Sequence, residues 1–243
     1  MAKNVPITAI AGIELVDTRL PGVSKVVIAA GESEAAKGAL SWDRYVRLSA
    51  AASAISEFGG NGRVLDVGGF DGALALFLPG REIDLIDPAT TGASLLNAPP
   101  ADGSYEVVVA VDVLEHIEPT ERTSALEEMA RMARNCVVLN YPHQGTRRAQ
   151  ELVYRLTGHS LIKDHAEWEL PDTQSVLETM AQCGFKGHAQ AHSSLAVWVG
   201  QYLTMQLAPQ ASSEMNKYLI DQHRDEPQKT PLYDLVILER QEL

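Results

Sequence analysis

The sequence predicts an α/β protein with a doubly wound sheet that carries helices on both faces. Two stretches favour this class. Residues 63–72 read RVLDVGGFDG, where a short apolar run ends at glycines and a helical pattern begins at once at residue 73. Residues 105–112 read YEVVVAVD, a nearly continuous apolar run of the kind expected for a strand buried on both faces. Strands and helices that alternate in this way build parallel sheets with right-handed crossovers.

Length, composition and charge limit what the chain can be. Its 243 residues are enough for one core, so we expect a single domain over residues 1–243. Hydrophobic residues make up 45% and charged residues 21%, which is ordinary for a globular protein. The net charge of −12, without any Lys/Arg-rich run, argues against a nucleic-acid partner, while a homodimer stays open.

Cysteine use and hydropathy indicate a cytoplasmic protein. Cys136 and Cys183 lie in apolar patterns without a C-x-x-C partner, as expected of buried, reduced thiols. The first ten residues lack the charged region and long apolar core of a secretory signal. No stretch reaches the roughly 18 consecutive apolar residues of a membrane span, so we expect no integral membrane segment.

The elements ahead of the glycine-rich stretch are an N-terminal arm and a helix. Residues 1–40 form the arm, and residues 1–30 within it are predicted to be short strands or irregular chain, because proline and glycine interrupt them. A helical pattern runs over residues 33–58 and ends at the Gly-Gly-Asn-Gly of residues 59–62. Arg44 and Tyr45 lie on this helix, where packing against the sheet is the ordinary role of such residues.

The glycine-rich turn is a candidate ligand site. Gly68, Gly69 and Gly72 can adopt positive φ or let backbone N–H groups approach a ligand with no Cβ in the way. Their spacing differs from the dinucleotide G-x-G-x-x-G, which disfavours a nicotinamide-dependent oxidoreductase, and no Lys-Ser/Thr pair of a P-loop follows. Asp66 precedes the turn and would repel a pyrophosphate, so a ligand with a cationic or hydroxyl-bearing end is favoured.

A second strand, residues 83–87, ends at Asp87. This residue follows Asp66 by about 20 positions, the distance at which a carboxylate accepts hydrogen bonds from ribose hydroxyls in nucleoside-binding α/β units. The alternative is a solvated loop acid, and the glycine-rich turn favours the ribose role. Residues 90–104 are too few for a full helix and strand, so residues 93–96 are the candidate for a third strand.

The rest of the chain continues the alternation of helices and strands. The patterns predict a helix over residues 120–134, a strand over 135–140, a helix over 172–183 and a final strand over 232–239. Residues 194–208 are apolar but too few to span a bilayer, so we predict a buried or docked helix rather than one that contacts a membrane.

At several motifs the chain resembles a known family. DVGGFDG at residues 66–72 resembles motif I of the class I S-adenosylmethionine-dependent methyltransferases, usually D-x-G-x-G-x-G, with Phe70 in the place of the second glycine. DGSYEVVVAVDVLEHI at residues 102–117 resembles motif IV of the type-11 group. Residues 158–172 are similar to the lid region of bacterial methyltransferases found beside enzymes of glycan and polysaccharide biosynthesis, and residues 216–227 are similar to the same group.

The resemblance, which covers roughly residues 40–240, implies a Rossmann-like, seven-stranded sheet with the last strand antiparallel and an N-terminal helix. It also implies lid or insertion segments at residues 141–172 and 190–228. The implied cofactor is S-adenosylmethionine (SAM), with S-adenosylhomocysteine (SAH) as its product. The residues assigned to the cofactor are Arg44, Asp66, Gly68, Gly69, Gly72, Asp87, Asn97, Asp112, Val113 and Leu114.

The implied reaction is methyl transfer to a small-molecule or glycan acceptor at a hydroxyl oxygen. Such a reaction needs alignment of the reacting atoms, and a base that takes the hydroxyl proton would help it. Histidine titrates in the useful range, and the candidate bases are His116, His143 and His165. A helix-capping or packing role stays open for His116.

The sequence also bears on metal and hydrolase chemistry and on a non-catalytic role. His159, Asp164, His165 and Glu167 lack zinc-type spacing, so no metal is expected. The G-x-S-x-G elbow of a serine hydrolase does not occur in the sequence. Phe70 in the glycine loop and the short second crossover leave open a non-catalytic protein of the same fold that acts as a partner in a biosynthetic assembly.

Overall fold

The computed structural model describes residues 10–225 and 230–241. Its strands are β1 (Ile13–Asp17), β2 (Ser24–Ile28), β3 (Val64–Val67), β4 (Ile83–Ile86), β5 (Tyr105–Val111), β6 (Ala133–Pro142), β7 (Phe185–Ser194) and β8 (Pro231–Arg240). Its α-helices are α1 (Ser33–Gly38), α2 (Trp42–Phe58), α3 (Arg122–Met132), α4 (Arg147–Thr157), α5 (Lys163–Glu167), α6 (Thr173–Gln182), α7 (Leu195–Leu207) and α8 (Ser212–His223). Residues 1–9 of the predicted arm and 226–228 of the second predicted insertion lie outside the described residues.

The eight strands of the described residues form one mixed sheet in the order β1-β2-β4-β3-β5-β6-β8-β7. Strands β4, β3, β5 and β6 run parallel, and β8 runs antiparallel to both β6 and β7. The predicted α/β class with an antiparallel last strand is therefore confirmed. The predicted number of seven strands is wrong, because the N-terminal arm adds the β1–β2 hairpin and the expected third strand does not form.

The hairpin occupies the position beside β4 in the sheet. Strand β2 pairs with β4 antiparallel, with Ser24 opposite Leu85, so no free edge of β4 is left for residues 93–96. Those residues instead run beneath the sheet edge, where Ala93 and Leu95 are buried and Leu95–Asn97 forms a 3-10 turn. Their apolar pattern reflects burial against the core and not strand pairing.

Two predicted helices differ from the observed ones. The pattern over residues 33–58 is broken at Ser41, which has extended backbone angles, and so gives α1 and α2. The pattern that follows the glycine turn forms only the 3-10 helix Ala73–Phe77. The predicted helices over 120–134, 172–183 and 194–208 are confirmed as α3, α6 and α7.

The sheet lies between two layers of helices. One face packs on α3 and α6, and the other packs on α2 and Ala73–Phe77. A further cluster joins α2, α4, α7 and α8 to the start of β8, and it buries Trp198 and Tyr202 of α7. Among residues 10–225 and 230–241, no helix combines the length and apolar character needed to cross a bilayer. The rigid sheet fixes the carboxyl ends of β3, β4 and β5 side by side, where their loops can carry a site.

Candidate functional site

A cavity of about 460 Å³ opens at the carboxyl ends of β3, β4 and β5. Its volume lies in the range of small-molecule sites. The residues that line it are Val67, Gly68, Ile86, Asp87, Pro88, Ala93, Ser94, Leu95, Leu96, Asp112, Val113, His116, Ile117, Glu118, Glu121 and Trp168. Five of the residues predicted from the sequence are among them, namely Gly68, Asp87, Asp112, Val113 and His116.

The glycine turn is packed so tightly that side chains would not fit. A Cβ on Gly68, where φ is +69°, would lie 2.5 Å from Val113 Cγ2. A Cβ on Gly69 would lie 2.1 Å from the Asp66 carboxylate oxygen Oδ2. Gly72 has φ of +77° and starts the 3-10 helix. The missing side chains leave the backbone of Gly68 exposed to the cavity, whereas Gly69 and Gly72 shape the turn without lining it.

Phe70 takes the left-handed conformation, with φ of +51°. This conformation is unusual for a residue with a Cβ and ordinary for glycine. Phe70 stands where the methyltransferase motif has its second glycine, so the chain reproduces a glycine-like backbone there with a different side chain.

Asp66 lies behind the turn and not in the cavity. Its side chain is buried, and its Oδ2 has no hydrogen-bond partner among the described residues. Burial raises the pKa of the Asp66 carboxyl to about 8, and the negative charges of Asp71 and Asp87 act in the same direction against Arg44. The protonated, neutral form is therefore favoured at neutral pH.

Arg44 holds the glycine turn by a two-pronged ion pair. Its Nη1 donates to Asp71 Oδ2 at 3.0 Å, and its Nη2 donates to Asp71 Oδ1. The same Oδ1 accepts a hydrogen bond from the Ala73 backbone N–H at 3.2 Å. Arg44 thus connects α2 to the loop between β3 and Ala73–Phe77, and it does not line the cavity.

Asp87 presents one carboxylate oxygen to the cavity. Its Oδ1 accepts the backbone N–H groups of Ala89 at 2.8 Å and Thr90 at 3.1 Å, which fixes the turn after β4. Among the described residues, the hydrogen bonds made to this carboxylate all reach Oδ1. The second oxygen, Oδ2, is consequently left to accept from a ligand.

Apolar side chains form the wall opposite Asp87. Ala93, Leu95, Leu96 and Ile117 come from the loops after β4 and β5, and Trp168 comes from the end of α5. Besides Arg44, Asp66, Gly69 and Gly72, two more residues assigned to the cofactor are not part of the lining: Asn97 is exposed, and Leu114 is buried in the core.

Asp112 follows β5 and is held by an arginine. Its φ is +56°, and its Oδ2 lies 3.1 Å from Arg47 Nη2, while its buried Oδ1 has no partner among the described residues. Burial raises the pKa of the Asp112 carboxyl, and the Arg47 charge opposes the rise. Arg47 also binds Asp43 at 2.7 Å and the Tyr233 hydroxyl at 3.2 Å, so the loop is tied to α2 and β8.

The three candidate bases lie in different surroundings. His116 lines the cavity, and its Nε2 is 3.3 Å from the Nε2 of His165, which is buried one layer deeper. Burial lowers the pKa of His165 to about 3. His143 lies outside the cavity, and its Nδ1 accepts the Gly145 backbone N–H at 2.9 Å. With Nδ1 accepting this bond, the neutral His143 ring carries its hydrogen on Nε2, so neither ring nitrogen has a free lone pair for the proton of a hydroxyl.

Sequence reasoning missed Glu115 and most of the apolar wall. Glu115 is fully buried, and neither carboxylate oxygen has a hydrogen-bond partner among the described residues. Burial raises the pKa of the Glu115 carboxyl well above its usual range, and the Asp112 charge adds to this. The signal was available in the LEH triplet, because Glu115 follows directly on an apolar strand and Leu114, where a buried charged residue is unusual.

Solved structures share this fold at low sequence identity. A candidate sarcosine dimethylglycine methyltransferase from Galdieria sulphuraria aligns with a TM-score of 0.51 and 11% identity, over 81% of this chain and 84% of its own. A chain in the complex between the Haloferax volcanii Trm112 methyltransferase activator and a candidate methyltransferase aligns with a TM-score of 0.51 and 12% identity, over 84% and 97%.

The magnesium protoporphyrin IX methyltransferase of Synechocystis PCC 6803, whose structure contains bound SAH, gives a TM-score of 0.49 and 11% identity over 85% and 87%. At these identities the likeness shows the fold alone. No protein-family model matches the chain, and no curated protein matches its sequence significantly.

Proposed function

We propose that the chain is a SAM-dependent methyltransferase that acts on a hydroxyl oxygen of a small-molecule or glycan acceptor. The observation that carries the proposal is the cavity at the carboxyl ends of β3, β4 and β5. It combines exposed glycine backbone, a carboxylate with one open oxygen and an apolar wall within one space. A nucleoside joined to an amino acid needs all three.

The residues present fit SAM. The apolar wall of Leu95 and Ile117 suits the adenine, and Asp87 Oδ2 suits the ribose hydroxyls, which are hydrogen-bond donors. The backbone at Gly68 suits the amino acid end of SAM, because no side chain covers it. A Cβ at this position would collide with Val113, so glycine is required there. Asp112 also lines the cavity, where an ionised carboxylate favours a sulfonium cation.

When bound, SAM supplies an electrophilic methyl group. The chain has to align the acceptor oxygen with it and exclude water from the reaction. Trp168 also lines the cavity, and an indole ring suits contact with an acceptor such as a sugar. Of the three histidines predicted as bases, His116 is the one that lines the cavity, so we place the acceptor hydroxyl beside it.

Calorimetric titration of the full chain with SAM, SAH and NAD tests the proposal. We expect micromolar binding of SAM and SAH and none of NAD. Asp87→Asn keeps an oxygen for the Ala89 and Thr90 N–H groups but changes the open acceptor into a donor. Loss of charge-assisted hydrogen bonds worth about 1.5–3 kcal/mol should raise the Kd of SAM by roughly 10–100-fold.

The matched control is Asp102→Asn. Asp102 is exposed and pairs with Arg131 at 2.8 Å, and it precedes β5, at the end of the sheet opposite the cavity. This variant should bind SAM as the unaltered chain does. Absence of SAM and SAH binding would refute the proposal and favour a non-catalytic partner protein. Where SAM binds, transfer of a labelled methyl group to sugars and simple alcohols, compared with amines and thiols, decides the acceptor class.

A further inference from the structure

We propose that Glu115, His116 and His165 bind a divalent transition-metal ion of the Zn²⁺ class in the inner wall of the cavity. Each residue offers one ligand atom, and these atoms lie within 4.8 Å of one another. The cluster combines two imidazoles and one carboxylate, a donor set that transition metals accept.

The two imidazoles already have the separation that a metal requires. Their Nε2 atoms are 3.3 Å apart. Two nitrogens bound to one tetrahedral Zn²⁺ at 2.0–2.1 Å are separated by roughly 3.3 Å. The third ligand is slightly farther, since Glu115 Oε1 lies 4.0 Å from His165 Nε2. A small rotation of the Glu115 side chain would complete the set.

Acceptors on the far sides of both rings orient the ligand nitrogens. His116 Nδ1 lies 3.0 Å from Asp164 Oδ2, and His165 Nδ1 lies 2.9 Å from Gln150 Oε1. Each Nδ1 therefore carries a hydrogen, which leaves the Nε2 of a neutral ring as the atom that can bind a metal. The two Nε2 atoms face each other at a distance that one proton or one metal ion can bridge. Such partners on the outer nitrogen are the usual support of a metal-binding histidine.

Glu115 has the properties of a ligand without its ion. It is fully buried, and both of its carboxylate oxygens lack a hydrogen-bond partner among the described residues. A buried carboxylate in this state is costly unless it is paired, protonated or bound to a metal. Because no hydrogen bond restrains its oxygens, the carboxylate can move toward the two Nε2 atoms.

The cluster differs from the residues within 159–167 that were considered as metal ligands from the sequence. His116 and His165 are 49 residues apart and meet because α5 packs against the Leu114–His116 turn. Asp164 supports His116 from behind and is not itself in the cluster. The spacing within residues 159–167 therefore does not bear on this cluster, which joins two segments that are far apart in the sequence.

A metal here would face the acceptor side of the cavity, a role that rests on the proposed function. The His116 side chain is 30% exposed and lines the cavity, so one coordination position would open there. A hydroxyl bound to Zn²⁺ ionises near neutral pH. Its oxygen would form the new bond to the methyl carbon as the carbon–sulfur bond breaks and its electrons stay on sulfur. The hydroxyl proton would pass to solvent water.

Metal uptake by the full chain tests the site without reference to activity. After treatment with a chelator, the protein is titrated with Zn²⁺ by calorimetry and with Co²⁺ by visible absorption. We expect one equivalent of each, and no binding of Mg²⁺, which prefers oxygen ligands. Glu115→Gln and His116→Ala should raise the Kd of Zn²⁺ at least 100-fold, and Asp164→Asn should raise it by roughly 10–100-fold.

The control variant is His188→Ala, which removes an exposed histidine on β7 and should leave the Kd unchanged. The proposal is overturned if the folded protein takes up neither Zn²⁺ nor Co²⁺, or if Glu115→Gln, verified by circular dichroism, binds them as before. Both measurements are made without SAM. Failure of the metal site and failure of the proposed function are therefore separate results.

Discussion

Replacing Asp66 with Asn should change how the stability of the protein depends on pH. Asp66 is buried behind the glycine turn, and its Oδ2 has no partner among the described residues. Burial raises the pKa of its carboxyl from 3.8 to about 8 in the folded chain. In the unfolded chain the carboxyl returns to its ordinary pKa. Between these two values the folded state holds one proton more than the unfolded state.

The sign and size of the effect follow from this difference. A raised pKa gives a contribution to stability that is complete below the unfolded value and is lost as the pH rises toward the folded value. The free energy of unfolding should therefore fall by roughly 1.4 kcal/mol per pH unit from this group alone. From pH 5 to pH 7 the loss is about 3 kcal/mol. Asn has the same shape and no charge, so Asp66→Asn should not show this loss of stability with rising pH.

Urea unfolding at pH 5, 6, 7 and 8 measures the free energy of unfolding of both proteins. The free energy of unfolding of Asp66→Asn, relative to that of the unaltered chain, should rise as the pH rises. This change with pH is independent of any fixed cost or gain of the substitution. Gly200→Ala, which changes no charge, should differ from the unaltered chain by the same amount at every pH. A constant difference for Asp66→Asn as well would refute the reasoning, because it would show that Asp66 is ionised in the folded protein.

Three further predictions concern the turn, its support and the metal. Gly69→Ala should cost about 1–3 kcal/mol in urea unfolding, because its Cβ would lie 2.1 Å from Asp66 Oδ2, whereas Gly200→Ala in open space on α7 should gain about 0.5–1 kcal/mol. Arg44→Lys keeps the charge but not the two-pronged contact with Asp71. The Kd of SAM in calorimetry should therefore rise by about 3–10-fold. An unchanged Kd would mean that the backbone alone holds the turn. Zn²⁺ at about 100 times its Kd should stabilise the fold by about 2.7 kcal/mol and raise Tm by about 5–10 °C, and a Tm that does not respond would contradict binding to the folded state.

The central strands were predictable because burial on both faces leaves a strong pattern. Strands β3, β4, β5 and β6 read as apolar runs bounded by glycine, proline or acids, and each has its predicted position. The hairpin β1–β2 is a half-exposed edge whose pairing with β4 depends on contacts far apart in the sequence. Residues 93–96 have the composition of a strand, yet a strand requires a free partner, and β2 had already taken it.

The site was predictable where one loop carries it and not where two distant segments meet. Gly68, Asp87 and Asp112 each follow a strand directly, so the strand prediction was enough to bring them to one edge. The meeting of His116 with His165 depends on how α5 packs, which no local pattern encodes. Asn97 was assigned by position in a family pattern, and the loss of the third strand moved its backbone out of the cavity.

Two strained residues in the loops after β3 and β5 bear on whether the site is functional. Phe70 and Asp112 both have left-handed backbone angles, and they follow the neighbouring strands β3 and β5. Each such residue costs about 1–2 kcal/mol and persists only where its surroundings hold it, as Arg47 holds Asp112. Phe70 has a left-handed backbone of the kind that glycine adopts without strain, and the cavity beside Gly68 is open. The departure from the motif at Phe70 therefore gives no physical reason to expect a closed, non-catalytic site.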